Sequence, residues 1–181
     1  MNGGSSPNWS YGYTPTAAQW NAAFASKMDF NTNNNVFNVP FTFQGNSAAL
    51  AVAFQNFAET FEIRTAAPTS SINLYVANGK TLFLTANATA NFNLNVTMSA
   101  ITQLAATLQV GLRIEIDLWV TNGATPYYMT SMQIDGASVT IIWEGNIAPS
   151  AGHANSIDRY RFDIARTGNT AYTVFGKMVQ G

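Results

Sequence analysis

Through the second half of the chain, hydrophobic and polar positions alternate one for one. In NFNLNVTM (91–98), Phe92, Leu94, Val96 and Met98 fall on one side of an extended chain and Asn93, Asn95 and Thr97 on the other. That spacing marks a strand with one buried and one solvated face. GLRIEIDLWV (111–120) repeats the pattern, with Leu112, Ile114, Ile116 and Leu118 opposed to Arg113, Glu115, Asp117 and Trp119. Tyr160, Phe162 and Ile164 alternate in the same way with Arg159, Arg161 and Asp163. Asp158 shares the inward phase, where a carboxylate is expected to cap a loop through backbone amides. Further strands are read over SINLYV (71–76), TLFLT (81–85), PYYMTSMQI (126–134), ASVTIIWE (137–144) and AYTVFGKMV (171–179). Asn78-Gly79, Asn122-Gly123 and Asp135-Gly136 accept the positive φ of two-residue hairpins, and RTGNT (166–170) turns the chain into its last strand. About ten short strands with closely spaced turn signals predict a mainly β fold, an antiparallel β-sandwich of jelly-roll-like or related Greek-key type.

The first third reads differently. Residues 1–13 (MNGGSSPNWSYGY) lack periodicity and are expected to form an extended arm. Its alternating Trp9, Tyr11 and Tyr13 suit docking on a partner surface, or packing back on a sheet edge. A short α-helix follows in YTPTAAQWNAAFASKMDF (13–30), started by Thr14 with Pro15 at the first helical position or by a Thr16–Gln19 capping box. Ala17, Trp20, Phe24 and Met28 share one face, and a helix of about 14 residues is marginal alone in water. That face is therefore expected to be buried, within the chain or against neighbouring subunits. VFNVPFTF (36–43), with Pro40 inside it, suits an edge strand or a break. NSAALAVAFQNFAET (46–60) reads as helix through Leu50, Phe54 and Phe57, although strand leading into FEIRT (61–65) fits as well. SAITQLAATLQVG (99–111) is a helical turn ended by Gly111, or a crossover loop. The expected organisation is an attachment segment over residues 1–30 and a β knob over 31–181.

Composition adds an assembly. Only 9% of the 181 residues are charged, whereas 47% are hydrophobic and 13% aromatic. Soluble domains carry about 25% charge, so part of this surface is expected to be covered by other subunits. A net charge of −1, with no run of Lys or Arg, excludes the clustered positive footprint of a nucleic-acid binder. No cysteine is present, which removes disulfides, thiolate nucleophiles and cysteine metal sites. The N-terminus lacks the basic and apolar segments of an export signal, and no apolar run reaches the roughly 20 residues of a membrane helix. A soluble chain without membrane or nucleic-acid partners is expected. The absence of any repeat, heptad or Gly-X-Y period argues against a coiled-coil, collagen or solenoid shaft.

Catalytic chemistry finds little footing. Ser156, His153 and Asp158 could be assembled into a triad, but they crowd into one loop and strand start, and no nucleophile elbow surrounds the serine. One histidine, no cysteine and no calcium-type Asp-rich loop leave no metal site, and no cofactor is implied. The expectation is a protein that is not an enzyme. Within the charge cluster Asp158, Arg159, Arg161, Asp163 and Arg166, the residues Arg159, Arg161 and Asp163 share one strand face and read as a surface ion-pair ladder or a subunit contact.

Two parts of the sequence carry a resemblance. TNGATPYY (121–128), IDG (134–136), the turn at 143–145, APSAGHANSID (148–158) and RTGNTAYTVFG (166–176) together resemble a domain of structural proteins of tailed bacteriophages, especially those of cyanobacteria and marine bacteria. TPTAAQWNAAFASKMDF (14–30) is similar to a segment near the start of phage fibre and appendage proteins. The resemblance implies a virion structural protein, a homotrimer with a β-sandwich knob and no catalytic residues. Glu144 and Asn146 around Gly145, and the charges of Arg159 and Arg161, depart from the pattern. A long shaft is missing, so a capsid decoration (cement) or short head-fibre protein on the capsid surface is expected before a tail protein. Trp9, Tyr11, Tyr13, Pro15, Trp20, Phe24 and Met28 would attach it to the major capsid protein or another virion protein. In the alternative, a tail-fibre or receptor-binding tip, Tyr127, Tyr128, Trp143 and His153 would engage host surface glycan. Arg159 and Arg161 would serve that contact or one between subunits.

Overall fold

The computed structural model describes residues 16–18 and 58–180. The chain divides into two compact units, Met1–Gln55 and Asn56–Gly181. The expected arm, the strand at 36–43 and nearly all of both expected helices lie outside the described residues. So do Trp9, Tyr11, Tyr13, Pro15, Trp20, Phe24 and Met28. Ala17 and Ala18 are helical, and 58–60 are not.

The second unit is built from ten strands: β1 (Glu62–Arg64), β2 (Ser71–Tyr75), β3 (Thr81–Leu84), β4 (Phe92–Thr97), β5 (Arg113–Thr121), β6 (Met129–Ile134), β7 (Ala137–Val139), β8 (Ile141–Trp143), β9 (Ile157–Arg166) and β10 (Tyr172–Gln180). They form a six-stranded sheet in the order β1-β3-β5-β9-β10-β8 and a four-stranded sheet in the order β2-β4-β6-β7. Their inner faces meet in one core. Phe92, Leu94 and Val96 of β4 pack there with Leu118 and Val120 of β5 and with Tyr160, Phe162 and Ile164 of β9. The Phe92 ring meets Tyr160 edge-on at 6.1 Å.

The mainly β expectation holds, but the sheets are mixed and not antiparallel. The first six strands alternate between the sheets, so that β1, β3 and β5 run parallel in one and β2, β4 and β6 in the other. Parallel neighbours need a crossover connection, and here a strand of the opposite sheet supplies it. The result is a one-way winding of three coils. Its coils are unequal: Glu62 pairs with Leu82, but Thr81 with Asp117. Coils of such different length leave no period in the sequence. Only β5–β9, β9–β10 and β6–β7 pair antiparallel.

Two expected hairpins are therefore corrected. The strands around Asn78-Gly79 go to different sheets, as do those around Asn122-Gly123. Asp135-Gly136 does make a hairpin, with φ of 51° and 81°. The 137–144 segment is also not one strand: it changes sheets after Val139, giving β7 and β8. Within 99–111 a short 3-10 turn, Leu104–Ala106, lies on the crossover from β4 to β5.

The two outer faces differ. On the smaller sheet, Asn93 Nδ2 donates to Gln133 Oε1 (2.9 Å), Asn95 Nδ2 to Asn73 Oδ1 (3.0 Å) and Ser131 Oγ to Asn93 Oδ1 (3.1 Å). Neutral amides bonded to one another thus make a polar face without charge.

Candidate functional site

At one end of the second unit, the connection between β5 and β6 meets the loop that leads into β9. Asn122, 2% exposed, ends β5's run of buried positions. Its Nδ2 donates to Tyr127 O (3.1 Å) and to Asp158 Oδ2 (2.8 Å), while its Oδ1 accepts from Tyr127 N (3.0 Å). Asp158 is fully buried at the start of β9, and its Oδ2 also accepts the His153 backbone N–H at 3.0 Å. Its Oδ1 lies 2.6 Å from His153 Nδ1. Burying a carboxylate is costly unless hydrogen bonds replace its water, and here two amides and an imidazole do so. Gly152 passes so close that a Cβ would run into the Tyr127 carbonyl oxygen. Asn155, at φ 52°, turns the loop back and donates its N–H to Gly123 O.

His153 and Asp158 thus meet, and Ser156 gives its backbone carbonyl to the Asn122 N–H (2.8 Å). The imidazole, 42% exposed, borders an open groove of about 440 Å3 between the 147–153 loop, the end of β8 and the middle of β10. Trp143, Glu144, Pro149 and Lys177 line it as well. Trp143 is anchored from below by an edge-on contact with Phe162, with centroids 5.9 Å apart. Lys177 reaches Glu144 at 2.7 Å. Of the four residues grouped for a glycan contact, the groove brings together Trp143 and His153 and not Tyr127 or Tyr128. Tyr127 belongs to the Asn122 knot and packs on the core, and Tyr128 donates its backbone N–H to Asn91 Oδ1.

Arg159 and Arg161 lie on the outer face of the six-stranded sheet and both reach Asp117. Arg159 does so through two bonds, Nε to Oδ1 at 3.1 Å and the terminal nitrogen to Oδ2 at 2.8 Å, and Arg161 through one at 3.4 Å. The fork on Asp117 raises the Arg159 titration. The same guanidinium sits over the Trp119 ring, 5.5 Å from its centre. Arg113 pairs with Asp163 one row further on. The ladder expected from phase is present.

At the far end of β9, Arg166 is not part of that ladder. It donates to four backbone carbonyls, those of Ala105 (2.5 Å), Leu108 (2.7 Å), Gly168 (3.2 Å) and Asn169 (2.7 Å). Asp135 holds the other end of the same turn, accepting from Leu104 N (2.6 Å) and Ala105 N (3.0 Å). Sequence reasoning missed Asn122 by assigning it to a hairpin. Its neighbour in the alternation, buried Val120, was the available signal.

Among the described residues no group of three or more His, Asp or Glu could hold a metal ion. No helix among them is long and apolar enough to cross a membrane. No protein-family model, no curated protein and no solved structure matches the chain.

Proposed function

We propose that this chain is a structural protein of a tailed-bacteriophage virion, a homotrimeric capsid decoration or short head-fibre protein. Residues 1–30 would attach it to the major capsid protein or another virion protein, and the β-sandwich knob would project. The observation that supports this reading best is how the residues bearing the resemblance are used. Asn122, Asp135, Gly152, Asp158 and Arg166 all hold turns and loops together. A constellation whose carboxylates and guanidinium are taken up by backbone groups, the Asn122 amide and the His153 imidazole builds a scaffold, and catalysis needs such groups directed at a reacting atom. The protein acts, on this reading, by binding and not by catalysis. A subunit that binds only the assembled shell stabilises it by mass action.

Antibody labelling of intact particles, or a reconstruction of them, tests the location. Density over the head is expected. Density confined to the tail would reject the decoration reading in favour of a receptor-binding tip. One observation favours that second reading: the open groove carrying Trp143, His153 and Lys177 is of a size and chemistry to hold a sugar. Binding of the intact protein to a glycan array, lost in Trp143→Ala, is its expected sign. An array without binding rejects it.

A further inference from the structure

We infer that the outer face of the six-stranded sheet is where copies of this chain meet, the β1 edge of one copy against the β8 edge of the next. Ten large hydrophobic side chains are exposed among the described residues. Five of them, Ile63, Ile142, Ile157, Phe175 and Val179, belong to this sheet in its outward phase, and a sixth, Phe61, immediately precedes β1 and packs by Trp119 on the same face. None lies on the smaller sheet, whose outer amides bond to one another. Isolated exposed apolar residues are ordinary, but a clustered set on one face marks a contact.

The cluster has two poles. At the β1 edge, Phe61 and Phe83 close on Trp119 with ring centres 6.3 and 5.6 Å away. At the β8 edge, Phe175 and Ile142 stand side by side in register, 53% and 44% exposed. Between the poles the outward charges divide by sign. The β1-β3-β5 half carries Glu115 and Asp117 against Arg113, whereas the β9-β10-β8 half carries Arg159, Arg161 and Lys177 against Asp163 and the Glu144 that Lys177 reaches just past β8, an excess of one charge of opposite sign on each side. An acidic half facing a basic half of a second copy is complementary, whereas like halves repel. Arg159, held between Asp117 and Trp119, is already ordered, and ordered Arg and Trp are the residue types on which interfaces concentrate their energy. The strands of this face span on the order of 600 Å2 at usual strand spacings. Shared between two neighbours it gives each contact about half that area, below the roughly 600–1,000 Å2 each partner buries in a stable interface, so the contacts support one another only when the ring closes.

Contact of one edge with the other edge of a neighbour lets copies follow one another around an axis. Closure at three copies rests on the trimer reading above. The absence of cysteine makes the test direct. Within one chain β1 and β10 are separated by β3, β5 and β9, about 19 Å, beyond the roughly 7 Å that a disulfide spans. The full-length double variant Ile63→Cys/Phe175→Cys should therefore oxidise to linked dimers and trimers on a non-reducing gel, and neither single variant should. Phe175→Arg should turn a trimer into monomers by light scattering, with an unchanged circular dichroism spectrum, while Ser131→Arg on the smaller sheet leaves the trimer intact. No cross-link in the double variant, or a trimer that survives Phe175→Arg, overturns the face and leaves the trimer reading standing. Wild-type monomers would overturn both. A dimer that Phe175→Arg disperses keeps the face and overturns threefold closure.

Discussion

Asp158 shows how a single residue can be read in phase and in role while its partner stays hidden. Its place in the inward alternation, and its hold on a loop amide, are legible in the sequence. Its partner Asn122 is 36 positions away and its contact depends on the fold. Replacing Asp158 with Ala removes the buried acceptor of one Asn122 amide hydrogen and of the His153 N–H. The expected cost is about 3 kcal/mol in urea unfolding, since hydrogen bonds to a buried charged group are among the strongest. Two tyrosines make a sharper pair. The Tyr160 hydroxyl accepts the Met129 N–H at 3.1 Å, whereas the hydroxyl of half-buried Tyr172 is itself buried and has no hydrogen-bond partner among the described residues. Burial raises the titration of both. Tyr160→Phe should therefore destabilise by about 1–2 kcal/mol, leaving a buried N–H unpaired, and Tyr172→Phe should be neutral or slightly stabilising. Equal losses in thermal unfolding would contradict that accounting.

Among the elements, three Asx-Gly dipeptides with the same local signal have three outcomes. Asp135-Gly136 takes the left-handed conformations of a hairpin. Gly79 has φ 130° and ψ 153°, and a Cβ there would lie 2.5 Å from Thr60 O, so that glycine serves a close approach of chain. Gly123 likewise leaves room for the Asn87 side chain, and Asn122 turns inward. Period-two alternation tells which side of a strand is buried, and it says nothing about which strand lies beside it. This is why the strands of the second unit were legible and their parallel winding was not. A winding also has open edges, which attract unwanted pairing. At β1 the Arg64 guanidinium donates to the Asn73 carbonyl of β2 at 2.7 Å and to Glu62 at 2.5 and 3.0 Å. The bond from Arg64 holds the Glu62 titration below its ordinary value of 4.5. A carboxylate whose folded-state titration is depressed contributes stability above its unfolded value, and that contribution is lost as pH falls through the folded one. Stability should thus decline below about pH 4.5 more steeply in the native chain than in Glu62→Gln. Parallel acid-unfolding curves would show the pair to be inert.

For the molecule as a whole, the sparse charge in the sequence has two structural expressions. The smaller sheet covers itself with amides, and the larger one leaves apolar side chains exposed between ion pairs. Low charge could foretell an uncovered surface. It could not say which face, because that depends on how strands from both halves of the chain come into register. A chain whose apolar face is covered by its own copies must be stabilised by concentration. For a trimer that unfolds to three chains, a tenfold rise in protein adds RT ln 100, about 2.7 kcal/mol per trimer or about 0.9 kcal/mol per chain. With the unfolding entropy of a domain of this size, Tm should climb by about 2–4 °C per tenfold. The gain should vanish in Phe175→Arg, whose isolated fold loses no buried contact. Scanning calorimetry at three concentrations separates the cases. A concentration-independent Tm in the native chain would mean that the exposed face is solvated and that the copies do not meet before unfolding. A slope retained in Phe175→Arg would place the contact elsewhere on the molecule.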